Sequence, residues 1–365
     1  MERSINVRSQ TFQGSSMAAS VKQIAEELGV SFQLVSAVLA GKSYCRASEE
    51  TKRKIFATAE KLGYQPNMNA RVLTGKPSRV LGLIADLHAA SPSNRVLAEL
   101  EREATRADFR LMIGGFHDRV EDIISSYRLL QQHRVDGIFL LSLDDLRYRK
   151  QLTDFLQGEK NLVVIRAPMM KQHFGVATSL SSMFAEIVTE LQEAGRRNIH
   201  YMGTYPVSHQ AMKERIRGFS KAFDDAEDRV HRLSSSGGIL EADGMSPDDF
   251  IEKVVKPRKI DALVMQDDLS ALHWIDLLQK HHLTVPDDVA VTGCNNDPFA
   301  RYAAPSIASV DFREKQIAQA AMKLMLRSLR GEAPEIVRIR LEFIRRKSFS
   351  RSISTVIQSD GGPQS

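Results

Sequence analysis

Residues 20–41 read SVKQIAEELGVSFQLVSAVLAG, and this stretch decides how the start of the chain folds. Val21, Ile24, Ala25 and Leu28 keep the i, i+3, i+4, i+7 spacing of one helix face. Ser20 with Gln23 three residues on forms a capping box at its start, and Gly29 ends it. Ser31 caps a second helix that turns Val35, Val38 and Leu39 inward and leaves Phe32, Gln33, Ser36, Ala37 and Ala40 on one outward stripe. Two short helices joined by Gly29-Val30, the second with a polar face, make a helix-turn-helix pattern. A recognition helix needs this division, because it enters the major groove while being anchored from behind. Gln33 can pair bidentately with adenine, and Phe32 can meet a thymine methyl or a sugar. Ser20 and Ser31 place hydroxyls and free N–H groups at helix N-termini, where phosphates bind. Both are also plain N-caps, and the two roles are compatible.

Downstream, the loop Gly41–Ala47 leads to a third helix capped by Ser48, with Ile55, Ala59 and Leu62 inward and Gly63 as its stop. Asn67 can cap a further run through Ala70, Arg71 and Leu73, closed by Gly75 and Pro77. About seven residues cannot hold a helix alone in water, so this run needs a partner surface. Two readings of Leu73 stand: an apolar wedge in the minor groove of DNA, or linker packing. Charge follows the same division. Residues 1–79 hold 12 Lys+Arg against 6 Asp+Glu, and the remaining 286 hold 38 against 39, so the net charge of +5 is a basic head on a near-neutral body. Such a head reads as a polyanion-binding module or as a solvated basic surface without a partner.

From Val80 the pattern changes. Apolar runs Val80–Ala85, Phe109–Ile113, Gly137–Leu141, Leu162–Ile165, Ile199–Met202, Ala262–Met265 and Val289–Gly293 alternate with amphipathic stretches Arg95–Ala107, Val120–Gln132, Met183–Glu193, Gln210–Phe223 and Leu269–Lys280. Strands alternating with helices point to parallel sheets covered on both faces. Some 265 residues of alternation are better divided between two α/β subdomains than spent on one sheet. Ligands in such folds sit at the carboxyl ends of the strands, here in the cleft between the subdomains. The expected organisation is a disordered tail over 1–19, a helix-turn-helix DNA-binding domain over 20–65, a hinge helix and linker over 66–79, an α/β body over 80–347 and a flexible tail over 348–365. Met17 is a second candidate start.

The runs VKQIAEELGVSFQLVSAVLAG, SEETKRKI, EKLGYQPN and ARVLTGK resemble the DNA-binding head of the lactose-repressor (LacI/GalR) family. VLGLIAD, RVDGIFLL, RIRGF and VPDDVAVTGCNNDPFARYAAPSIASV continue the resemblance, in order, from about Ser20 to Lys347. It implies an all-α helix-turn-helix head, a hinge helix and a periplasmic-binding-protein-like body of two parallel-sheet subdomains that dimerises. It implies a transcription regulator, by default a repressor, bound as a homodimer to a pseudo-palindromic double-stranded operator. A small-molecule effector, often a sugar or purine, modulates that binding. By position, Ser20, Ser31 and Ser36 would meet phosphates, Phe32 and Gln33 would set operator sequence, and Asn67, Ala70, Arg71 and Leu73 would form the hinge helix. Arg215, before Gly218-Phe219, and Asp267 would grip the effector.

The chain departs from the family pattern at several of these places. Ala37 stands where a base-reading arginine is usual and Ala40 where asparagine is. The loop Gly41–Ala47 is about two residues longer, with Arg46 available for a phosphate. Ser91-Pro92-Ser93-Asn94 replaces Asn-Pro-Phe-Phe, Thr178-Ser179 replaces Asp-Asn, and Asn295-Asn296 replaces a paired aspartate. Asn94, Thr178 and Asn295 thereby join the candidate effector contacts, and a pyranose becomes a poor fit.

Other classes find little support. There is no G-x-G-x-x-G after a strand, no G-x-x-x-x-G-K-[ST], no G-x-S-x-G and no H-E-x-x-H, so neither catalytic residues nor a cofactor or metal site is expected. The competing reading is an α/β binding protein or enzyme whose basic head does not read DNA. His281 and His282 are expected at the surface. Cys294 reads as a buried, unreactive thiol before a nucleophile, and Trp274 as core before cleft. Composition is that of a soluble protein, 42% hydrophobic and 26% charged, with no run of roughly 18 apolar residues. Its polar N-terminus has no signal-peptide core, so a cytoplasmic protein without membrane contact is expected. The two cysteines, Cys45 and Cys294, make no disulfide framework, and no heptads after Lys347 announce a tetramerising coil.

Overall fold

The structure is a computed structural model that describes residues 19–39, 47–64, 77–86, 91–116, 119–141, 149–166, 172–204, 210–236 and 239–350. The chain divides into two units, Met1–Lys76 and Pro77–Ser365. Among the described residues, the first unit holds helices α1 (Val21–Leu28), α2 (Phe32–Leu39) and α3 (Glu49–Lys61). Their inward faces bury Ile24, Ala25, Val35, Val38, Ile55 and Ala59 in one cluster, with Leu28, Leu39 and Leu62 at its edge. None of these helices would persist alone, and the shared cluster is what holds them. The capping box is present. Ser20 Oγ accepts the Gln23 N–H and the Gln23 side chain accepts the Ser20 N–H at 2.7 Å. Ser48 Oγ accepts the Thr51 N–H at 3.2 Å. Gly29 takes the left-handed φ of 63° that a helix stop favours.

The second unit alternates strand and helix: β1 (Val80–Asp86), α4 (Ser91–Arg106), β2 (Arg110–Phe116), α5 (Val120–Gln132), β3 (Gly137–Leu141), α6 (Arg149–Leu156), β4 (Leu162–Arg166) and β5 (Phe174–Ala177). There follow α7 (Leu180–Glu193), β6 (Ile199–Thr204), α8 (Gln210–Ser220), β7 (Val230–Ser236), β8 (Ile239–Ala242), β9 (Ala262–Met265), α9 (Asp268–Lys280) and β10 (Ala290–Thr292). The last elements are β11 (Ser309–Asp311), α10 (Glu314–Leu329), β12 (Ile336–Arg338) and β13 (Glu342–Ile344).

Two sheets result. The first runs β12-β5-β4-β3-β1-β2 with every pair parallel. The second runs β10-β9-β6-β7-β8. Helices α4 and α10 cover one face of the first sheet through Val96, Leu100, Ile317 and Met325, and α5 and α6 cover the other through Ile123, Leu130 and Leu152. On the second sheet, Phe184, Ile187 and Phe219 of α7 and α8 pack on one face, and Ala271, Trp274 and Leu278 of α9 on the other. The chain passes between the subdomains after β5, between β11 and α10, and between β12 and β13. Trp274 is therefore core, as expected, and so is Cys294, both fully buried.

The structure adds to the expected organisation in three places. The two parallel-strand sheets are present as expected and carry antiparallel additions: β8 joins the edge of the second sheet antiparallel to β7, and β11 pairs antiparallel with β13 in a separate ribbon. Only two residues separate β7 from β8, a link that serves antiparallel neighbours and cannot make a crossover. The body starts before residue 80, because Ser78 is buried and donates its N–H and hydroxyl to Asp136 Oδ1 at 2.8 and 3.0 Å. It also extends past residue 347. Ser348 Oγ donates to the Val291 carbonyl at 2.6 Å and accepts the Ala308 N–H at 2.9 Å, and Phe349 packs edge-on against Phe343. A serine reads as tail in sequence, yet a hydroxyl satisfied at both ends costs little to bury.

Candidate nucleic-acid interface and ligand cleft

In the head, burial of Val35 and Val38 fixes which face of α2 is outward. Phe32 is 52% exposed and Gln33 is exposed beside it, while Ser36 and Ala37 are half-buried. Ser31 Oγ accepts the Leu34 N–H at 3.2 Å, so both Ser20 and Ser31 act as caps and leave other first-turn N–H groups outward. Lys22, Lys52, Lys54 and Lys61 pair with Glu26, Glu49, Glu50 and Glu27 at 3.8, 2.7, 2.7 and 2.9 Å. Exposed pairs of this kind are worth about 0–1 kcal/mol, so these lysines can exchange partners for phosphates at small cost. Sequence reasoning missed Phe56, 53% exposed on α3. Ala40, Arg46, Asn67, Ala70, Arg71 and Leu73 lie outside the described residues.

In the body, three expected residues meet at the carboxyl ends of β6, β9 and β10. Arg215 of α8 brings Nη2 to 3.8 Å from Cys294 Sγ and stacks its guanidinium 5.8 Å from the Phe184 ring. Asp267 caps α9, its Oδ1 accepting the Ser270 N–H at 2.7 Å. Asn295 is nearly buried and donates its N–H to the Val310 carbonyl at 3.1 Å. Asn94 is exposed on α4 of the other subdomain, next to Arg95, whose guanidinium donates to the Asn295 carbonyl. Thr178 lies apart from them at a crossover. It lines a cavity of about 400 Å³ with Ser179, Glu186, Arg338 and Arg340, and none of the other four lines that cavity.

Sequence reasoning missed Asp268, Ser309 and Arg95. Asp268 is fully buried; Oδ1 accepts the Ser309 hydroxyl at 2.5 Å and Oδ2 the Asp297 N–H at 2.7 Å. Burial pushes its carboxyl up to about 7, although both hydrogen bonds pull the other way. Of two adjacent aspartates, sequence does not say which one caps the helix and which turns inward. Arg166, also missed, donates to Ser93 Oγ at 2.8 Å and lies 4.8 Å from the Phe312 ring. Burial pushes the Cys294 thiol up to about 11, so it stays protonated and a poor nucleophile. His281 and His282 lie at the surface as expected; the His281 ring pairs there with Asp248 at 2.7 Å and Glu252 at 2.8 Å, which raises its pKa, and His282 is exposed. Among the described residues, no helix is long and apolar enough to cross a membrane.

Comparison with known proteins agrees with this geometry. Residues 20–67 match the model for bacterial regulatory proteins of the lacI family, and residues 188–349 that for a periplasmic binding protein-like domain. The HTH-type transcriptional repressor PurR of Vibrio cholerae serotype O1 is 25% identical over 330 residues, covering 87% of this chain and 93% of the relative. The repressor of the same name from Escherichia coli O139:H28 is 23% identical over 347 residues, covering 91% and 97%. Among solved structures, the Lac repressor dimer bound to operator and the anti-inducer ONPF aligns with a TM-score of 0.76 at 18% identity, covering 91% of this chain and 99% of that one. A CelR–cellobiose complex aligns with a TM-score of 0.61 at 20% identity, covering 90% and 99%.

Proposed function

Because this chain belongs to the LacI family of bacterial regulatory proteins, we propose that it is a DNA-binding transcriptional regulator, by default a repressor, acting as a homodimer on a pseudo-palindromic operator. The observation that carries this reading is the division of α2, with Val35 and Val38 buried behind an exposed Phe32 and Gln33. Phe32 and Gln33 read bases, Ser20, Ser31, Ser36 and Arg46 meet phosphates, and Asn67, Ala70, Arg71 and Leu73 supply the hinge helix with Leu73 as the wedge. In the body, a small molecule between the subdomains meets Arg215, Asp267, Asn94 and Asn295 and changes operator affinity. The coupling is reciprocal, so DNA changes ligand affinity by the same factor. In this reading a second copy covers apolar side chains that the body leaves exposed, Leu269, Phe299 and Tyr302 at 65%, 37% and 80%. In this reading the protein works in the cytoplasm and catalyses no reaction.

Selection of duplexes from a random pool tests the reading. The full chain is expected to enrich two half-sites related by a dyad. Gln33→Ala is expected to relax preference at one base pair per half-site and to cost about 1–3 kcal/mol of specific binding, with nonspecific affinity unchanged. A variant that selects the same sequence with the same affinity removes Gln33 as a reader.

A further inference from the structure

Arg95 joins the carboxyl ends of the two sheets. Arg95 belongs to the first subdomain, since its neighbour Val96 and Leu100 one turn on are fully buried in the core of the first sheet. Its Nη1 donates to Asp297 Oδ1 at 2.9 Å, and its Nη2 donates to the Asn295 carbonyl. Both acceptors follow β10 in the second subdomain. On its own side, Nε and Nη2 donate to Glu314 Oε1 at 3.0 and 2.6 Å. Glu314 opens α10, whose buried face shares the core of α4. A planar guanidinium can serve two carboxylates and a carbonyl at once; a lysine ammonium cannot reproduce that fork.

The receiving loop is rigid. Asp297 is tied through its N–H to the buried Asp268, which also takes the Ser309 hydroxyl, and Ser309 Oγ in turn accepts the Asn296 N–H at 2.9 Å. Asn296 holds Asp311 at 2.7 Å through its amide. The Asp297 and Glu314 side chains are each only 13% exposed, against 30% for Arg95, so the pairs are shielded well beyond an ordinary surface ion pair.

We propose that Arg95 is a built-in latch that closes the cleft without a small molecule, so that the closed body is the resting state of this regulator. The chain's own guanidinium then takes the bridging place between subdomains that an effector would otherwise fill. An effector acts by breaking or reinforcing the Arg95–Asp297 pair. This deepens the regulatory reading and rests on it only for its DNA readout.

The test uses the full chain with no small molecule added. Arg95→Ala and Asp297→Asn each remove the charge pair, and Asp297→Asn keeps the main-chain N–H that Asp268 holds. Hydrogen exchange is expected to quicken at least threefold in peptides covering 91–97 and 294–300 in both variants, with the β9 peptide 262–265 unchanged. The double variant is expected to match Arg95→Ala, because without the guanidinium Asp297 has no latch contact left to lose. Arg95→Lys should fall between wild type and Arg95→Ala. Operator affinity should move in the same direction, at least threefold, in both single variants, and at least as far in Arg95→Ala as in Asp297→Asn. Unchanged exchange in both, or additive effects in the double variant, overturns the latch. Failure of the wild type to bind DNA would overturn the regulator reading and leave the exchange result standing.

Discussion

Ile55→Ala is expected to abolish operator binding while leaving the body folded. Ile55 is fully buried in the cluster that Ile24, Val35, Val38 and Ala59 complete, so truncation removes a central contact from all three head helices. Loss of a buried isoleucine side chain to alanine costs about 2–5 kcal/mol. A unit this small has stability of only a few kcal/mol, so most of the head unfolds. Affinity for the selected operator should fall at least 100-fold, and calorimetry should show the main transition of the body unmoved. Wild-type affinity in this variant would mean that α2 is not held for reading by the shared core.

Gly293→Ala is expected to have the largest effect in the body. A Cβ at Gly293 would lie 2.2 Å from Asp268 Oδ1 and 3.0 Å from its Cα. Asp268 cannot yield without releasing Ser309 and Asp297, so the clash falls on a fixed group. The expected loss is about 3 kcal/mol, read by chemical denaturation. Asp268 also makes a pH prediction. Its carboxyl titrates near 7 in the folded chain and near 3.8 when unfolded. Between those values the folded state holds a proton that the unfolded state has lost, so stability falls as pH rises from about 4 to about 7 and this contribution is flat above. Asp268→Asn removes that contribution. The difference curve between wild type and variant should slope over this window by on the order of 1–3 kcal/mol, and a flat difference would place the Asp268 proton elsewhere.

The head was legible because its signals are local. Ser20 with Gln23, Ser48 with Thr51 and the stop at Gly29 are hydrogen bonds between residues three or four apart, and they formed as the spacing predicts. The strands buried on both faces, such as Gly137–Leu141 and Ala262–Met265, announced themselves as continuous apolar runs. Strand β7 did not, because VHRLSSS is polar and pairs with a terminal strand of the sheet, where less side chain needs burying. Helix α10 carries a clear apolar period at Ile317, Ala321 and Met325, yet sequence does not say that it returns to cover the first sheet. Ser78 and Ser348 looked like linker and tail because their partners, Asp136 and Val291, lie 58 and 57 residues away. At the cleft, sequence pointed to Asn94, whereas the residue that crosses is Arg95. The difference of one position is a rotation of about 100° around α4, which the burial of Val96 and Leu100 sets in three dimensions.

Whether the basic head reads DNA is decided by the salt dependence of binding. With the duplex that the full chain itself selects, affinity should fall steeply as salt rises, with a log–log slope of about −0.9 for each phosphate neutralised, and a shuffled duplex should bind about 1,000-fold or more weaker. A flat salt response with no preference between the selected and shuffled duplexes would contradict the account.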